Sequence, residues 1–255
     1  MKYIIFDVDD TILNSNKEVT PFTLKVLNYL RNNYHYKIVV NTARSKDFNK
    51  PYFDILKPDY SILFGGSLII DKDENILYKE VISKDIINKI SKVLFKESRT
   101  FSIYTLDELF SSDKDYKSQN AQYFDFNNDL NKDCYKIVAS FIDNKIAYKI
   151  ADDFNLVFVP YLDGRFGRFN LKTTSKENGN KKLMELINGN INDVICFGDD
   201  VGDLNMVLDA GVGVLLSNAN NDLKSKVKYI TKYDNDHDGV ARFLIEYFNI
   251  KIENL

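Results

Sequence analysis

The feature that most constrains the fold is a short apolar run that ends directly in a cluster of acids. Tyr3–Phe6 is continuously apolar, which is typical of a strand buried on both faces of a sheet. Asp7, Asp9 and Asp10 follow it at once. Because an unpaired buried charge is costly, these side chains belong at the carboxyl end of the strand. Ligands bind at that edge in open α/β sheets, so the sequence predicts a site there.

A second acidic cluster follows a second apolar run. Residues 194–197 are continuously apolar, and Asp199, Asp200 and Asp203 come next among glycines. Two carboxylate loops at the ends of parallel strands can converge on one cation, and carboxylate oxygens suit Mg²⁺. Alternatively, either loop could be a solvated turn, with Asp203 capping the next helix. The occurrence of two such clusters favours the metal site.

Strand and helix patterns alternate in the first and last thirds of the chain. Apolar stretches at 38–40 and Tyr60–Leu63 predict further buried strands, and helical spacing follows Thr20 and Lys176. Strands that alternate with helices predict a parallel sheet covered on both faces, so the fold class is α/β.

The middle third has a different pattern. A helix near Ile90, a strand at 137–142, a helix at 145–154 and a strand at 156–159 predict an α+β module. The stretch 111–133 is rich in polar residues and predicts no element. We therefore expect a core formed by residues 1–80 and 170–255, with residues 81–169 inserted as a second domain.

Composition limits the partners. The net charge of -3 provides no basic field for nucleic acid or an anionic membrane, and no apolar stretch is long enough to span a bilayer. Cys134 and Cys196 lack the spacing of a zinc site or a disulfide framework, which favours a reducing compartment. We expect a cytoplasmic monomer or weak homodimer whose partner is a small molecule.

Five short motifs occur in a fixed order along nearly the whole chain. They are Asp7-Val8-Asp9-Asp10-Thr11, Asn41-Thr42-Ala43-Arg44, Ser175-Lys176, Gly198-Asp199 with Asp203 and Met206, and the C-terminal set Ala210-Gly211, Ser217-Asn218-Ala219 and Asp238-Gly239. Together they resemble the motifs of the haloacid dehalogenase (HAD) superfamily, Cof-type, subclass IIB. The resemblance implies a Rossmann-like parallel-sheet core with an inserted α+β cap of the C2 type.

The resemblance also implies a phosphatase that forms a phospho-aspartate. Asp7 would be the nucleophile, and Asp9 would protonate the leaving group and then activate water. Asp9 is two residues from Asp7, so an extended segment would place both side chains on one face. Lys176 would neutralise charge during catalysis. Thr42, Ala43 and Lys176 would bind the phosphoryl group of a small phosphorylated metabolite, such as a sugar phosphate.

The implied cofactor is Mg²⁺. By resemblance, its ligands are the carboxylates of Asp7 and Asp199 and the backbone carbonyl of Asp9. Asp203 would hold Lys176 or a metal-bound water.

Three positions depart from the family pattern. Ala43 replaces the glycine of a Thr-Gly-Arg turn, Gly202 replaces an asparagine near the metal, and Gly65 replaces the asparagine of an Asn-Gly-Ala turn. Gly202 could weaken Mg²⁺ binding. Two alternatives remain open: a phosphomutase or phosphotransferase on the same scaffold, and a non-catalytic phosphometabolite-binding protein, which Ala43 and Gly202 favour. The Asp7–Asp9 pair favours an enzyme, because a pure binder has little use for two crowded acids.

The inserted cap would exclude water and select the leaving group. Tyr161, Asp163, Arg165 and Arg168 lie near its end and are candidates to contact substrate. Charged residues at such positions are also commonly just solvated.

Overall fold

The computed structural model describes residues 2–98, 100–116, 121–141, 143–161 and 164–255. They form two compact units. The core unit comprises the chain up to Arg44, then Asn49–Lys79 and Ser175–Leu255. The insert unit comprises Ser45–Phe48 and Glu80–Thr174.

The strands and helices are numbered in chain order. The strands are β1 (Tyr3–Phe6), β2 (Lys37–Asn41), β3 (Tyr60–Leu63), β4 (Leu68–Asp71), β5 (Ile76–Lys79), β6 (Thr100–Tyr104), β7 (Leu109–Ser111), β8 (Gln122–Tyr123), β9 (Lys136–Ser140), β10 (Leu156–Pro160), β11 (Phe166–Leu171), β12 (Val194–Gly198), β13 (Val212–Leu215) and β14 (Tyr229–Ile230). The helices are α1 (Pro21–Tyr34), α2 (Lys46–Leu56), α3 (Lys84–Glu97), α4 (Asn144–Asp153), α5 (Lys176–Leu186), α6 (Leu204–Asp209), α7 (Asn221–Lys224) and α8 (Gly239–Phe248).

The core unit contains a mostly parallel sheet in the order β14-β13-β12-β1-β2-β3-β4-β5. The strands from β14 to β3 pair in parallel, and β4 and β5 add an antiparallel hairpin at one edge. Phe6 lies level with Val40 of β2 and Phe197 of β12. The three central strands therefore end side by side. The predicted α/β fold class is confirmed.

The central strand β1 is apolar throughout because it contributes to two cores. Ile4 and Phe6 belong to a core that includes residues of α1 and α8. Tyr3 and Ile5 belong to a second core that includes residues of α5 and α6. Successive side chains of a strand point to opposite faces, so a strand between two helical layers has no polar positions.

The insert unit contains a sheet in the order β10-β11-β9-β6-β7-β8. Its neighbouring strands are antiparallel except for the parallel pair β7 and β8. Helices α3 and α4 contribute to a core with Phe101, Ile137 and Phe169. The ends of the unit meet where the Thr173 hydroxyl donates a hydrogen bond to Glu80 at 2.6 Å. The insert unit is thus an α+β module with its own core.

Most predicted elements occur close to their expected positions, with exceptions in both units. The sequence did not predict α2, which contains Pro51, nor β6, β7, β8 and β11. The strand expected at 137–142 is observed at Lys136–Ser140, and Ile142 is outside the described residues. Within the described ranges, no helix has both the length and the apolar character needed to cross a membrane.

Candidate active site

Asp7 lies at the carboxyl end of β1 and is 7% exposed. The Lys176 ammonium is 2.6 Å from Asp7 Oδ1. Burial raises the pKa of Asp7 to about 7, with Lys176 opposing this shift and the Asp203 charge adding to it. The carboxyl group is therefore anchored by one cation in a poorly solvated position.

Three carboxyl groups converge at this edge of the sheet. One oxygen each from Asp7, Asp199 and Asp203 lies within 4.8 Å of the others. Burial raises the pKa of Asp199 to about 8, although the Thr11 hydroxyl donates a 2.5 Å hydrogen bond to its Oδ1. The raised pKa values of Asp7 and Asp199 indicate that too little positive charge lies nearby to balance these crowded carboxyl groups. This hard-oxygen donor set fits a divalent cation such as Mg²⁺.

Asp203 is fully buried, and its oxygens already have protein partners. Oδ1 accepts a 2.6 Å hydrogen bond from Lys176. Oδ2 accepts from the backbone N–H groups of Asp199 at 3.1 Å and Asp200 at 3.2 Å. Its side chain does not cap α6. Asp203 thus orients Lys176 and the Asp199 loop, which leaves Asp7 and Asp199 as the better metal ligands.

Two buried asparagines hold the first turn of α5, where Lys176 lies. Asn41 donates one hydrogen bond to the Lys176 carbonyl and another to Asn180 Oδ1, each at 2.8 Å. Asn180 in turn donates to the Cys196 sulfur at 3.8 Å. This network links β2, α5 and β12. It fixes the helix end that delivers the Lys176 ammonium.

The turn after β3 permits a close approach of α5. Gly66 has a φ of +116°, and a Cβ there would lie 2.3 Å from the Ser175 carbonyl oxygen. Ser175 is the N-cap of α5 and accepts from the Asn178 N–H at 3.0 Å. Only glycine fits at position 66, because both the backbone angle and the space exclude a side chain.

Thr42 follows β2 and is buried. Its Oγ1 accepts a 3.2 Å hydrogen bond from the Arg44 N–H, so the hydroxyl hydrogen remains for another acceptor. Ala43 is not among the residues with a positive φ. The family's glycine is therefore not required by the backbone at this position.

Asp9 lies in the loop that follows β1. Residues Val8–Ile12 form a tight turn in which Asp10 has a φ of 54°, while the backbone angles of Asp7 and Asp9 are extended. Arg44 forms a two-pronged ion pair with the Asp9 carboxylate, with its Nε donating at 2.6 Å. Lys17 lies 3.4 Å from Asp9 Oδ1. In this structure the Asp9 carboxylate is anchored to Arg44.

The C-terminal landmarks hold the loops around this site. Asn218 donates to the Asp10 carbonyl at 2.8 Å, and Asn235 donates to the Leu13 carbonyl at 3.0 Å. Asp238 accepts from the Thr23 hydroxyl at 3.0 Å. In each of these contacts, the two partners are about two hundred residues apart in sequence. They restrain the turn that follows Asp7.

Sequence reasoning missed several contributors. It left Arg44 out of the site, named Thr11 and Asn41 only as parts of motifs, and did not consider Asn180. Asn41 gave a detectable signal, since it is a polar residue at the end of an apolar strand. Asn180 gave none, because an asparagine in a polar helix start is unremarkable.

The residues of the insert unit that were predicted to contact substrate lie in different surroundings. Tyr161 lines a cavity, Arg165 is exposed and Arg168 lies on β11. Asp163 lies outside the described residues.

The protein thus belongs to the α/β class, with buried carboxyl groups at adjacent strand ends of a mostly parallel sheet. The sequence model of the haloacid dehalogenase-like hydrolases matches residues 4–244. The chain belongs to this family and is an enzyme of the hydrolase type. The predicted resemblance to Cof-type HAD proteins is confirmed.

The alignments with relatives and with solved structures cover almost the whole chain. The protein named "Putative phosphatase YkrA" from Bacillus subtilis is 25% identical, covering 94% of this chain and 95% of the relative. The 5-amino-6-(5-phospho-D-ribitylamino)uracil phosphatase YcsE, also from B. subtilis, is 23% identical, with 95% and 94% covered.

Two of the solved structures that share the fold of this chain serve as examples. A haloacid dehalogenase-like hydrolase from Bacteroides thetaiotaomicron has a TM-score of 0.85 at 20% identity, covering 97% of this chain and 99% of its own. The HAD subclass IIB sugar phosphatase BT4131 has a TM-score of 0.81 at 19% identity, with 98% and 100% covered.

Proposed function

We propose that this protein is an Mg²⁺-dependent phosphatase that hydrolyses a small phosphate monoester through a phospho-Asp7 intermediate. The observation that carries the proposal is the environment of the Asp7 carboxyl group. It is buried at a strand end, contacts Lys176 at 2.6 Å and lies within 4.8 Å of two further carboxyl groups. Family membership and the phosphatase names of the relatives support the same reaction class.

In the first step, an Asp7 oxygen attacks phosphorus and the bond from phosphorus to the leaving oxygen breaks. Asp9 gives a proton to the departing alkoxide. In this structure Asp9 is the ionised partner of Arg44, so it acts as the acid only after it leaves this ion pair and carries the proton. The product of this step is the acyl phosphate on Asp7 and the free alcohol.

In the second step, water attacks phosphorus and the bond between phosphorus and the Asp7 oxygen breaks. Asp9 accepts the proton of the attacking water, which restores the starting protonation state. Lys176 neutralises negative charge on Asp7 and on the phosphoryl oxygens, and Asp203 keeps it in place. The Thr42 hydroxyl donates to a phosphoryl oxygen, and Ala43 provides the adjacent backbone.

Asp7, Asp199 and the Asp9 backbone carbonyl would hold the cation. When bound, Mg²⁺ neutralises charge between the anionic nucleophile and the anionic phosphoryl group. The raised pKa values of Asp7 and Asp199 support this, since both carboxyl groups gain from a nearby positive charge.

The substrate class is a small phosphorylated metabolite. One relative is named for a phosphorylated ribitylaminouracil, and one structural neighbour is named a sugar phosphatase. Both names support a polyol or sugar phosphate. We also propose a reducing, cytoplasmic location, which the free, buried thiols of Cys134 and Cys196 support.

The test is phosphate release from a panel of sugar phosphates and nucleotides, with Mg²⁺ or EDTA. We expect metal-dependent release, lost by at least ~10³-fold in Asp7→Asn because the nucleophile is removed. Asp10→Asn is the matched control, since Asp10 pairs with Lys17 on the protein surface. Near-normal release by Asp7→Asn would contradict the mechanism. Phosphate transfer to a sugar phosphate without release would instead indicate a phosphotransferase.

A further inference from the structure

The insert unit contains a cavity of about 240 Å³ that the mechanism above does not use. Its lining residues come from β6, β9, β11 and two adjoining loops: Thr100, Phe101, Ser102, Tyr104, Tyr116, Val138, Tyr161 and Phe166.

The cavity lies on the sheet face that α3 and α4 leave uncovered. Phe101 and Ile103 contribute to the core that includes both helices. Thr100, Ser102 and Tyr104 alternate with them and therefore point to the opposite face. The open face is thus accessible within the insert unit.

The walls of the cavity are aromatic, and its polar groups are hydroxyls. Tyr104, Tyr116, Tyr161 and Phe166 contribute rings, and Val138 lies among them. A hydrogen bond links the Tyr104 and Tyr116 phenols. Burial raises the pKa values of Tyr104 and Tyr161, so both phenols are neutral at physiological pH. Within the part of the chain that the structure describes, no lining residue is charged. Such walls stack well on a flat ring and offer only a few hydrogen bonds to its edge.

Two cations flank the cavity without lining it. The Lys136 ammonium is 4.4 Å from the centre of the Tyr104 ring. The Arg168 charge acts on Tyr161, where it opposes the effect of burial on the pKa. Nearby positive charge disfavours a cationic ligand and favours a ring that carries carbonyl oxygens.

Size and chemistry limit the ligand further. A cavity of roughly 150 Å³ holds benzene, so a substituted single ring or a fused pair of rings fits in this one. A bare polyol fits the lining poorly, because its many hydroxyls would find no carboxylate or amide among the lining residues that the structure describes.

We propose that the insert unit binds an uncharged, planar heteroaromatic ring in this cavity. Ring binding itself requires no catalysis.

Ring binding is tested on the full chain with uridine, inosine and ribose as probes, by saturation-transfer NMR. Uridine and ribose differ only in the ring. We expect both nucleosides to bind at least about tenfold more tightly than ribose, equivalent to ~1.4 kcal/mol. Binding of ribose as strong as that of uridine, or no binding of either nucleoside, would overturn the proposal.

Two substitutions test the location. Tyr161→Leu removes a ring and a hydroxyl, and Val138→Phe fills the cavity; each should weaken nucleoside binding by about tenfold or more. Tyr148→Leu is the matched control, because Tyr148 lies on α4 and is 48% exposed. Thermal melts establish that each variant is folded. Unchanged binding in both folded cavity variants would place the ring elsewhere and refute the assignment.

The Asp7→Asn variant separates this inference from the proposed function. It should bind uridine as wild type does while releasing no phosphate. Nucleoside binding without phosphatase activity would support the cavity and contradict the phosphatase. Phosphatase activity without nucleoside binding would support the phosphatase and contradict ring binding in the cavity.

Discussion

At the scale of single residues, the charge balance of the site connects stability with pH. Asp7 and Asp199 have pKa values raised by burial to about 7 and about 8. In the unfolded chain both groups ionise near their ordinary values of about 4. At pH values between the unfolded and the folded pKa values, the folded state binds more protons than the unfolded state. Metal-free stability therefore falls as pH rises from about 4 to about 8.

This imbalance predicts a pH-dependent effect of Mg²⁺. A bound cation removes the cost of ionising the two carboxyl groups, so Mg²⁺ should raise Tm more near pH 8 than near pH 5. Differential scanning fluorimetry over a pH series measures this. Asp7→Asn should show a smaller pH slope and a smaller response to Mg²⁺. An equal Mg²⁺ shift at both pH values would contradict the role of these carboxyl groups.

Gly202 provides a second prediction at this scale. A Cβ at this position would meet no atom within 4 Å, and the residue does not have a positive φ. Gly202→Ala should therefore raise stability by about 0.5–1 kcal/mol, because it restricts the unfolded chain. Gly211→Ala should be strongly destabilising, since its Cβ would lie 2.0 Å from the Asn192 carbonyl oxygen. Denaturant unfolding distinguishes the two, and a destabilised Gly202→Ala would show that the open space is needed.

The residues that sequence alone could predict are those with unusual chemistry at strand ends. Asp7 and Asp199 were expected to lie close together, and they share one acidic cluster. The Arg44–Asp9 ion pair was not predicted, because it depends on the turn at Val8–Ile12 rather than on residue type. Asn180 was missed for a similar reason, since its partner Asn41 is 139 positions away.

At the scale of elements, the position of α5 decides where Lys176 lies. The helix is held by the Asn41–Asn180 network and approaches the Gly65–Gly66 turn closely. Neither contact involves the reacting groups directly. Both therefore offer ways to move Lys176 without changing any charge.

Substituting Asn41 tests the buried network. Asn41→Ala leaves the Asn180 amide oxygen buried without this donor, at a cost of about 1–3 kcal/mol. It should also lower kcat more than it raises KM, because the first turn of α5 loses an anchor. Asn178→Ala is the matched control: it is the same substitution on the same helix at an exposed position. A loss of stability with unchanged kcat would make Asn41 purely structural.

The turn allows a comparison between neighbouring glycines. Gly65→Ala and Gly66→Ala both place alanine at a positive φ, but only position 66 adds a clash with the Ser175 carbonyl. Gly65→Ala should cost about 1 kcal/mol, and Gly66→Ala should cost clearly more and reduce activity. Chemical denaturation and phosphate release measure the two effects. Equal losses would show that α5 can shift without consequence.

Element prediction succeeded where periodicity was strong. The strand Tyr60–Leu63 and the helices near α1, α3 and α4 follow clear apolar patterns. Helix α2 was missed because Pro51 lies inside it, and a proline normally argues against a helix interior. Strands β6, β7, β8 and β11 were missed because tertiary pairing, rather than local pattern, defines them.

At the scale of the whole molecule, the hydrophobic cores described above are divided between the two units: two lie in the core unit and a third lies in the insert unit. Residues of α3, α4 and the antiparallel sheet form the core of the insert unit. We expect a fragment spanning Glu80–Thr174 to fold on its own, because it keeps that core and its ends are joined by the Thr173–Glu80 hydrogen bond. Circular dichroism and dispersed amide NMR signals check this. A fragment without cooperative unfolding would contradict it.

The meeting of the insert's two ends also has an evolutionary consequence. A module that leaves and rejoins its host chain at neighbouring points can be replaced by recombination without rerouting the host. Selection can then act on the module's ligand preference while the acidic chemistry stays under separate constraint. One ancestral scaffold can thereby give rise to paralogues that share a reaction and differ in what they recognise.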